Sequence, residues 1–437
     1  MKKLTKQLEF SVENVVTAFL LVLGSVYLLF TGREGYGNIA FAKFAAFAAL
    51  CGIFLLALTA AYLRERRLPS CFCRKLDAVT ACLLGYLLLS LISAICSPFG
   101  GIAFIGSSRY EGFITILLYV LIFFTVADRQ GSRRLPLYVF GGGMLIFCCI
   151  SLIQFAGGNP FGLYPERLNY YGAGVSYQGE YLGTIGNVDM VAGLMCIAIP
   201  LFLLYIILAK DDQWRMWLLI PLGLCVVVTI RMDVTAAFLG LAGGLLLTIP
   251  VVLPRSSRWK KPAVIGVLSF IAAGVIGVFA FDISGGLFHE LHQILHGHIE
   301  GSYASDRVKI WLEVWQQIKL QPLFGSGPDT LYLWQRGFSQ YDAAMNVNVT
   351  TVIDVAHNEL LNICANQGIP AMLSYLVALI LIGIRWVKKA ADNTLVAICG
   401  SAALCYVIQS MFGMSMCLVA PFFWVMLALT YRATMNE

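Results

Sequence analysis

Charge is scarce in this chain, and histidine is missing from most of it. Only 12% of the 437 residues are charged while 59% are hydrophobic, and the mean hydropathy is +0.79. Soluble domains carry about a quarter charged residues, so a water-soluble globule is excluded. Alternating apolar and polar positions are also lacking. The apolar runs are continuous over about 20 residues, which excludes a β-barrel. What remains is an all-α polytopic membrane protein whose backbone groups pair inside helices because lipid offers them nothing. The thirteen cysteines fall mostly within apolar runs, the usage of small buried hydrophobes and not of a disulfide framework.

Apolar runs of spanning length lie at 12–31, 40–62, 77–97, 113–127, 136–156, 189–208, 216–231, 234–254, 262–281, 369–386, 395–412 and 416–431, which predicts about twelve transmembrane helices. The basic stretch Met1–Lys6 before the first run resembles a signal peptide, but the run is long and no small-residue cleavage pattern follows, so it is read as a retained helix. With the amino terminus inside, 21 of the 30 basic residues fall in inner segments. Arg64, Arg66 and Arg67, then Arg255, Arg258, Lys260 and Lys261, are examples. Nine stay outside: Arg33, Lys43, Arg109, Arg167, Arg231, Arg307, Lys309, Lys319 and Arg336. This asymmetry predicts a multi-pass protein of the cytoplasmic (inner) membrane with both termini cytoplasmic. It accounts for the net charge of +6 without a nucleic-acid partner.

The chain reads as a single integral membrane domain over 1–437 with two long extracytoplasmic segments, 157–188 and 282–366. Loops of that size are uncommon unless functional. All five histidines (His289, His292, His296, His298 and His357) sit in the second. There, Val308, Trp311, Leu312, Trp315 and Ile318 recur at helical spacing after Ser305-Asp306, predicting a capped interfacial helix with tryptophans at headgroup level. Pro322, Gly325, Gly327 and Pro328 end it.

Three outer arginines stand at helix ends: Arg109, Arg231 and Arg307. Each alone reads as a snorkelling anchor, or as a local pair with Glu111 or Asp233 in the first two cases. Together they suit a pyrophosphate, because a planar guanidinium grips phosphate bidentately and stays charged. His357 has the side chain whose ordinary pKa fits proton abstraction from a sugar hydroxyl at neutral pH. Its plainer reading is a polar cap of the helix predicted at 358–366. Glu359 and Asp354 are candidates for orienting its imidazole. His289, His292 and His296 share a helical face, but no carboxylate completes a metal motif and Gly297 interrupts it, so no metal is assigned there. Tyr164, Tyr170, Tyr171, Tyr177 and Tyr181 offer faces on which sugars could pack, or an interfacial aromatic belt.

The ordered blocks RYEG (Arg109–Gly112), GTIGNVD (Gly183–Asp189), Arg231 closing a central span, DRxxxW…PLFGSGP (Asp306–Pro328) and HNELL…NQGIP (His357–Pro370) resemble the O-antigen ligase and polymerase superfamily. Three blocks depart from its pattern. Ile230-Arg231-Met232-Asp233 stands where the family usually has Ser-Arg-Gly-Ala, Asn187-Val188-Asp189 where it has Asn-Pro-Asn, and Asn366-Gln367-Gly368 where it has Glu-x-Gly. The resemblance implies a glycosyltransferase of polysaccharide biosynthesis in the cell envelope. It would need no cofactor, use an undecaprenyl-pyrophosphate-linked oligosaccharide donor, and serve a glycan or lipid acceptor among membrane lipids. It further implies that Arg231, Arg307 and, by a looser match, Arg109 bind the donor pyrophosphate, and that His357 activates the acceptor. The rival reading is a transporter or flippase of lipid-linked glycans. Such proteins often place charge near the bilayer midplane, whereas here the mid-span segments lack charge and the candidate site residues gather at the outer face.

Overall fold

The computed structural model describes residues 10–68, 76–128, 134–164, 180–342 and 347–434. Along the chain run α1 (Val12–Val22, continued by a π turn to Tyr27), α2 (Ile39–Glu65), α3 (Ala78–Ile95), a short α4 (Ile102–Ile105), α5 (Phe113–Ala127) and α6 (Leu135–Phe155). Then come α7 (Val188–Leu208), α8 (Leu219–Met232), α9 (Thr235–Val252) and α10 (Lys260–Ala280). The large loop contributes α11 (Gly286–Leu295), α12 (Arg307–Leu320) and α13 (Glu359–Gln367), before α14 (Ile369–Lys389), α15 (Thr394–Ser410) and α16 (Ala420–Ala433). Two antiparallel hairpins complete it: β1 (Tyr181–Leu182) with β2 (Gly186–Asn187), and β3 (Gly337–Asp342) with β4 (Val347–Val352).

Every apolar run read from the sequence carries a helix. Among the described residues eight helices are long and apolar enough to cross a membrane. Val12–Tyr27, Phe113–Ala127 and Thr394–Ser410 are apolar but shorter, and α16 has 14 residues. The protein is an all-α polytopic membrane protein. Several helices begin where a short polar side chain captures an orphan N–H. Asp77 accepts from Thr80, Asn187 from Asp189, and Asn393 from Leu395 and Val396. Such caps are worth about 1 kcal/mol each.

Helix α7 is the axis of the bundle. It is apolar all round and buried without a break from Met190 to Phe202, which suits a helix surrounded by others. Helices α8, α9 and α15 enclose it. Gly240 and Gly244, four apart on α9, allow α15 to approach closely. A Cβ at Gly244 would stand 2.4 Å from the Cys405 sulfur. This is the small-xxx-small packing that substitutes for hydrophobic drive in lipid. Helix α10 lies at the periphery with 6% of its apolar window buried, touching α9 and α11.

Lys43, counted among the outer cations from sequence, is instead fully buried on α2. Its ammonium donates to the carbonyls of Tyr27 (2.7 Å) and Leu28 (3.0 Å), where the π turn ends. Thr184 in the β1–β2 turn donates to the same Leu28 carbonyl at 2.7 Å. The charge thus closes a helix end that lipid could not solvate. Lys43→Met is expected to lower stability by about 1–3 kcal/mol, the cost of a buried acceptor left unmade, as read by thermal unfolding in detergent. An unchanged midpoint would show the lysine to be dispensable there.

Candidate functional site

The site is built where the large loop meets the start of α7. The β1–β2 hairpin, with Tyr181 opposite Asn187, delivers the chain into α7, and Asp189 falls in the helix's first turn. A carboxylate is favoured there by the positive end of the helix dipole. Gln409 on α15 donates to the Asp189 carbonyl at 3.0 Å and fixes the turn from the other side.

Arg307 opens α12. The three residues before it, Ala304, Ser305 and Asp306, all have left-handed backbone (φ 54°, 57° and 62°). Non-glycine residues rarely adopt this conformation, and three in succession hold the chain in a strained turn. Asp306 occupies the cap position expected of it but makes no capping bond, and its carboxylate holds Lys309 at 3.0 Å instead. The Arg307 guanidinium folds back on the Ala304 carbonyl (3.0 Å) and reaches Asp189, Nη2 to Oδ2 3.8 Å.

His357 comes from the other half of the loop and is also left-handed, at φ 47°. Its flanks are pinned. The Trp311 indole donates to the Ala356 carbonyl at 3.0 Å, and the Asn358 side chain donates to Met411 at 3.0 Å while capping Leu361. Asn358, and not His357, therefore caps α13. The His357 Nδ1 lies 3.5 Å from Asp189 Oδ2. Asp189 thus stands between an arginine 118 positions later and a histidine 168 positions later (307 − 189 and 357 − 189). The Nε of Arg307 is buried with no hydrogen-bond partner among the described residues, which marks a donor poised for a further group; the buried Nδ1 of His357 faces the Asp189 carboxylate.

The loop halves are knitted by backbone. Ser326 and Gly327 donate to the carbonyls of Ala365 and Asn366 at 3.1 and 2.8 Å, and Ile369 donates to Pro322 at 2.8 Å. The Asn366 side chain accepts from the N–H groups of Thr330 (3.0 Å) and Leu331 (3.1 Å). Gly368, at φ 90°, lies so close that a Cβ would sit 2.2 Å from the Leu323 carbonyl oxygen. Val314 and Ile318 of α12 are buried with Leu331, Ile353 and Ala356, so α12 docks on the loop's own core, while Leu312 and Trp315 stay exposed.

Arg109 lies alongside. Its guanidinium pairs with Asp354, leaving its Nε without a partner among the described residues. The backbone around it wraps Asp329, whose Oδ2 accepts from the N–H groups of Ser108, Arg109 and Glu111 at 3.3, 3.0 and 3.4 Å. Gly106 is required here, since a Cβ would come within 2.4 Å of that oxygen. Burial raises the Asp329 pKa despite these bonds. Glu111 turns away from Arg109 and accepts from Tyr119 (2.9 Å) and the Cys417 N–H (2.5 Å), with its pKa pushed well up by burial.

The two residues proposed from sequence to orient His357 are otherwise engaged. Asp354 is taken by Arg109, and Glu359 faces a cavity of about 40 Å³ lined also by Glu111, Asp329 and Gln367. That volume admits two or three waters. Burial raises the Glu359 pKa from 4.5 to about 7. Its folded state therefore holds a proton that the unfolded chain releases, and stability falls as pH rises from 4.5 to about 7. Glu359→Gln is expected to remove that slope and to leave the protein more stable above pH 7, by an amount of order 3 kcal/mol. Thermal unfolding of both forms between pH 5 and 8 checks it; parallel curves would contradict it.

The structure therefore brings together Arg307 and His357 at Asp189, with Arg109 on Asp354. Arg231 closes α8, beside α6 and α7, at the same end of the bundle. Its guanidinium lies over the Phe155 ring, 5.6 Å to the centroid, and not on Asp233 or on Asp189. The denser histidine cluster is engaged locally. His289 meets Asp282 at 2.6 Å, His292 the Val278 carbonyl at 2.8 Å, His296 the His292 carbonyl at 2.8 Å, and His298 the Gln293 side chain at 3.0 Å. Among the described residues no three His, Cys, Asp or Glu side chains are grouped to hold a metal. Of the five tyrosines singled out, Tyr164 and Tyr181 flank Tyr36 in an aromatic cluster, while Tyr170, Tyr171 and Tyr177 lie outside the described residues.

Fold and site define a multi-pass membrane protein with a guanidinium–carboxylate–imidazole cluster at one end of its helix bundle. Residues 220–376 match the family described as O-Antigen ligase, which places this segment in the O-antigen ligase and polymerase superfamily. The matched stretch contains Arg231, Arg307, Asp354, His357 and Glu359, whereas Arg109 and Asp189 precede it. No curated protein matches the chain.

Proposed function

We propose that the protein is a metal-independent, inverting membrane glycosyltransferase, a ligase or polymerase of the cell-surface polysaccharide pathway. It would work on an undecaprenyl-pyrophosphate-linked glycan at the outer face of the cytoplasmic membrane. The observation that carries this reading is the convergence of Arg307 and His357 on Asp189. With Nδ1–H turned to Asp189, the imidazole presents Nε2 as the base, and the carboxylate holds both tautomer and ring orientation. His357 takes the acceptor hydroxyl's proton as that oxygen forms its bond to the anomeric carbon. The bond to pyrophosphate breaks on the opposite face, and the lipid pyrophosphate leaves with the electron pair. Its developing charge falls to Arg307, with Arg109 and Arg231 proposed as further cations once the donor is bound, the electrostatic part of the barrier.

Asp189→Asn separates this from a merely structural carboxylate. It keeps size and polarity but loses the charge that favours the correct tautomer. Transfer of a lipid-linked repeat unit by the purified protein is expected to fall by about 10²-fold, less than on removing the base itself. The loss is expected with and without chelator. Wild-type transfer by this variant would sink the assignment of Asp189, and loss on chelation alone would overturn the metal-independent reading.

A further inference from the structure

A cleft of about 400 Å³ opens between α1, α6, α7, α15 and α16 at the end of the bundle away from Asp189. Along α7 its charged mouth lies at Tyr205, sixteen residues or about 24 Å from Asp189, and the α7 lining residue nearest Asp189 is Ile197, eight residues or about 12 Å away at the helical rise. It is therefore separate from the glycan site, and a ligand held there is independent of the glycosyltransferase reading. Its volume lies within the range of built ligand sites.

The lining is sorted by depth. Leu23, Phe140, Ile197, Leu201, Phe422 and Met426 make an apolar slot. The charged groups gather at one mouth: Arg134 from the start of α6, Asp211 from just past α7, and Arg432 from the last turn of α16. Thr394, first residue of α15, joins them. An apolar slot with two guanidiniums at its mouth has the shape of a single lipid, chain inward and phosphate outward. Basic pockets between spans bind anionic headgroups for this reason.

The carboxylates at the mouth divide into fixed and displaceable. Asp212 is buried and held by Tyr138 (2.8 Å), Tyr205 (2.5 Å) and Arg134 (3.3 Å). Asp211, also paired with Arg134, has a side chain 74% exposed. An exposed pair of that kind contributes little and can be exchanged for a phosphate, which guanidinium grips in the same bidentate way.

We propose that this cleft binds an anionic phospholipid of the bilayer, one acyl chain in the slot and the phosphate shared by Arg432 and Arg134. In the orientation proposed from the charge pattern, this is the cytoplasmic leaflet. The test uses the full-length protein in detergent, with phosphatidylglycerol or phosphatidylcholine of identical chains added. Bound lipid is counted by native mass spectrometry, and thermal unfolding is followed in parallel. Phosphatidylglycerol is expected to be retained one per chain and to raise the unfolding midpoint, with phosphatidylcholine retained at least about tenfold less. Arg432→Gln is expected to weaken phosphatidylglycerol retention about tenfold, the scale of one charge-assisted hydrogen bond. Leu429→Trp, which fills the slot from a partly exposed lining position and leaves both arginines in place, is expected to abolish it. Should Arg432→Gln fail to fold, Leu429→Trp decides alone. Equal retention of the two lipids, or retention untouched by the tryptophan, overturns the proposal.

Discussion

His357→Ala is expected to reduce transfer from a lipid-linked donor by about 10²–10⁴-fold, the range assigned to a positioned general base, with the protein still present in membranes at its normal level. The geometry makes this sharper than a simple loss of activity. The His357 Nδ1 faces Asp189 at 3.5 Å, so the catalytic proton is assigned to Nε2. His357→Gln retains an amide hydrogen-bonding group but cannot accept a proton at neutral pH, and it is expected to be as inactive as alanine. An asparagine or glutamine that restores transfer would mean that the side chain only positions substrate, and the proton would then leave by water.

Arg307→Ala is expected to cost about 10²–10³-fold in turnover, comparable to deleting one preorganised donor from a transition-state site. Arg307→Lys is expected to recover only part of this, because an ammonium is a point charge and cannot present the two parallel N–H groups that a phosphate accepts. The alanine variant also removes the cation 3.8 Å from Asp189, leaving that carboxylate to His357 alone. Turnover per inserted protein should then fall while membrane abundance is kept. An arginine that serves only to hold α12 in place would lower protein abundance and leave turnover per inserted protein unchanged, and lysine would then restore abundance fully. Measuring rate and membrane abundance on the same preparations separates the two roles.

The helices were legible because lipid imposes a simple demand, a continuous apolar run long enough to close its own hydrogen bonds. The residues of the site were partly legible for a different reason. Arg307 and His357 stand out because polar groups are so rare in this chain, and scarcity is visible in one dimension. Their meeting point was not. Asp189 lies more than a hundred positions from either, and from sequence it looked like one more departure in the GTIGNVD block. The signal present was its position, a carboxylate one residue inside the start of a span. The pairing of Arg109 with Asp354, in place of its neighbour Glu111, was hidden for the same reason. A tight loop around Asp329 turns Glu111 inward toward Tyr119, and that depends on chain segments 218 residues apart. Lys43 misled the charge count, since hydropathy cannot distinguish a lysine at a span's mouth from one that seals another helix's carbonyls.

The backbone bonds joining Ser326 and Gly327 to Ala365 and Asn366 bear on how variants of this protein should be interpreted. A saturation screen would score Gly325, Gly368 and Asn366 as intolerant, as severely as the residues proposed to do the chemistry. The most recognisable letters of the two loop blocks are thus a clasp, and an inactive allele there would report a loop that failed to close, leaving the reaction itself unexamined.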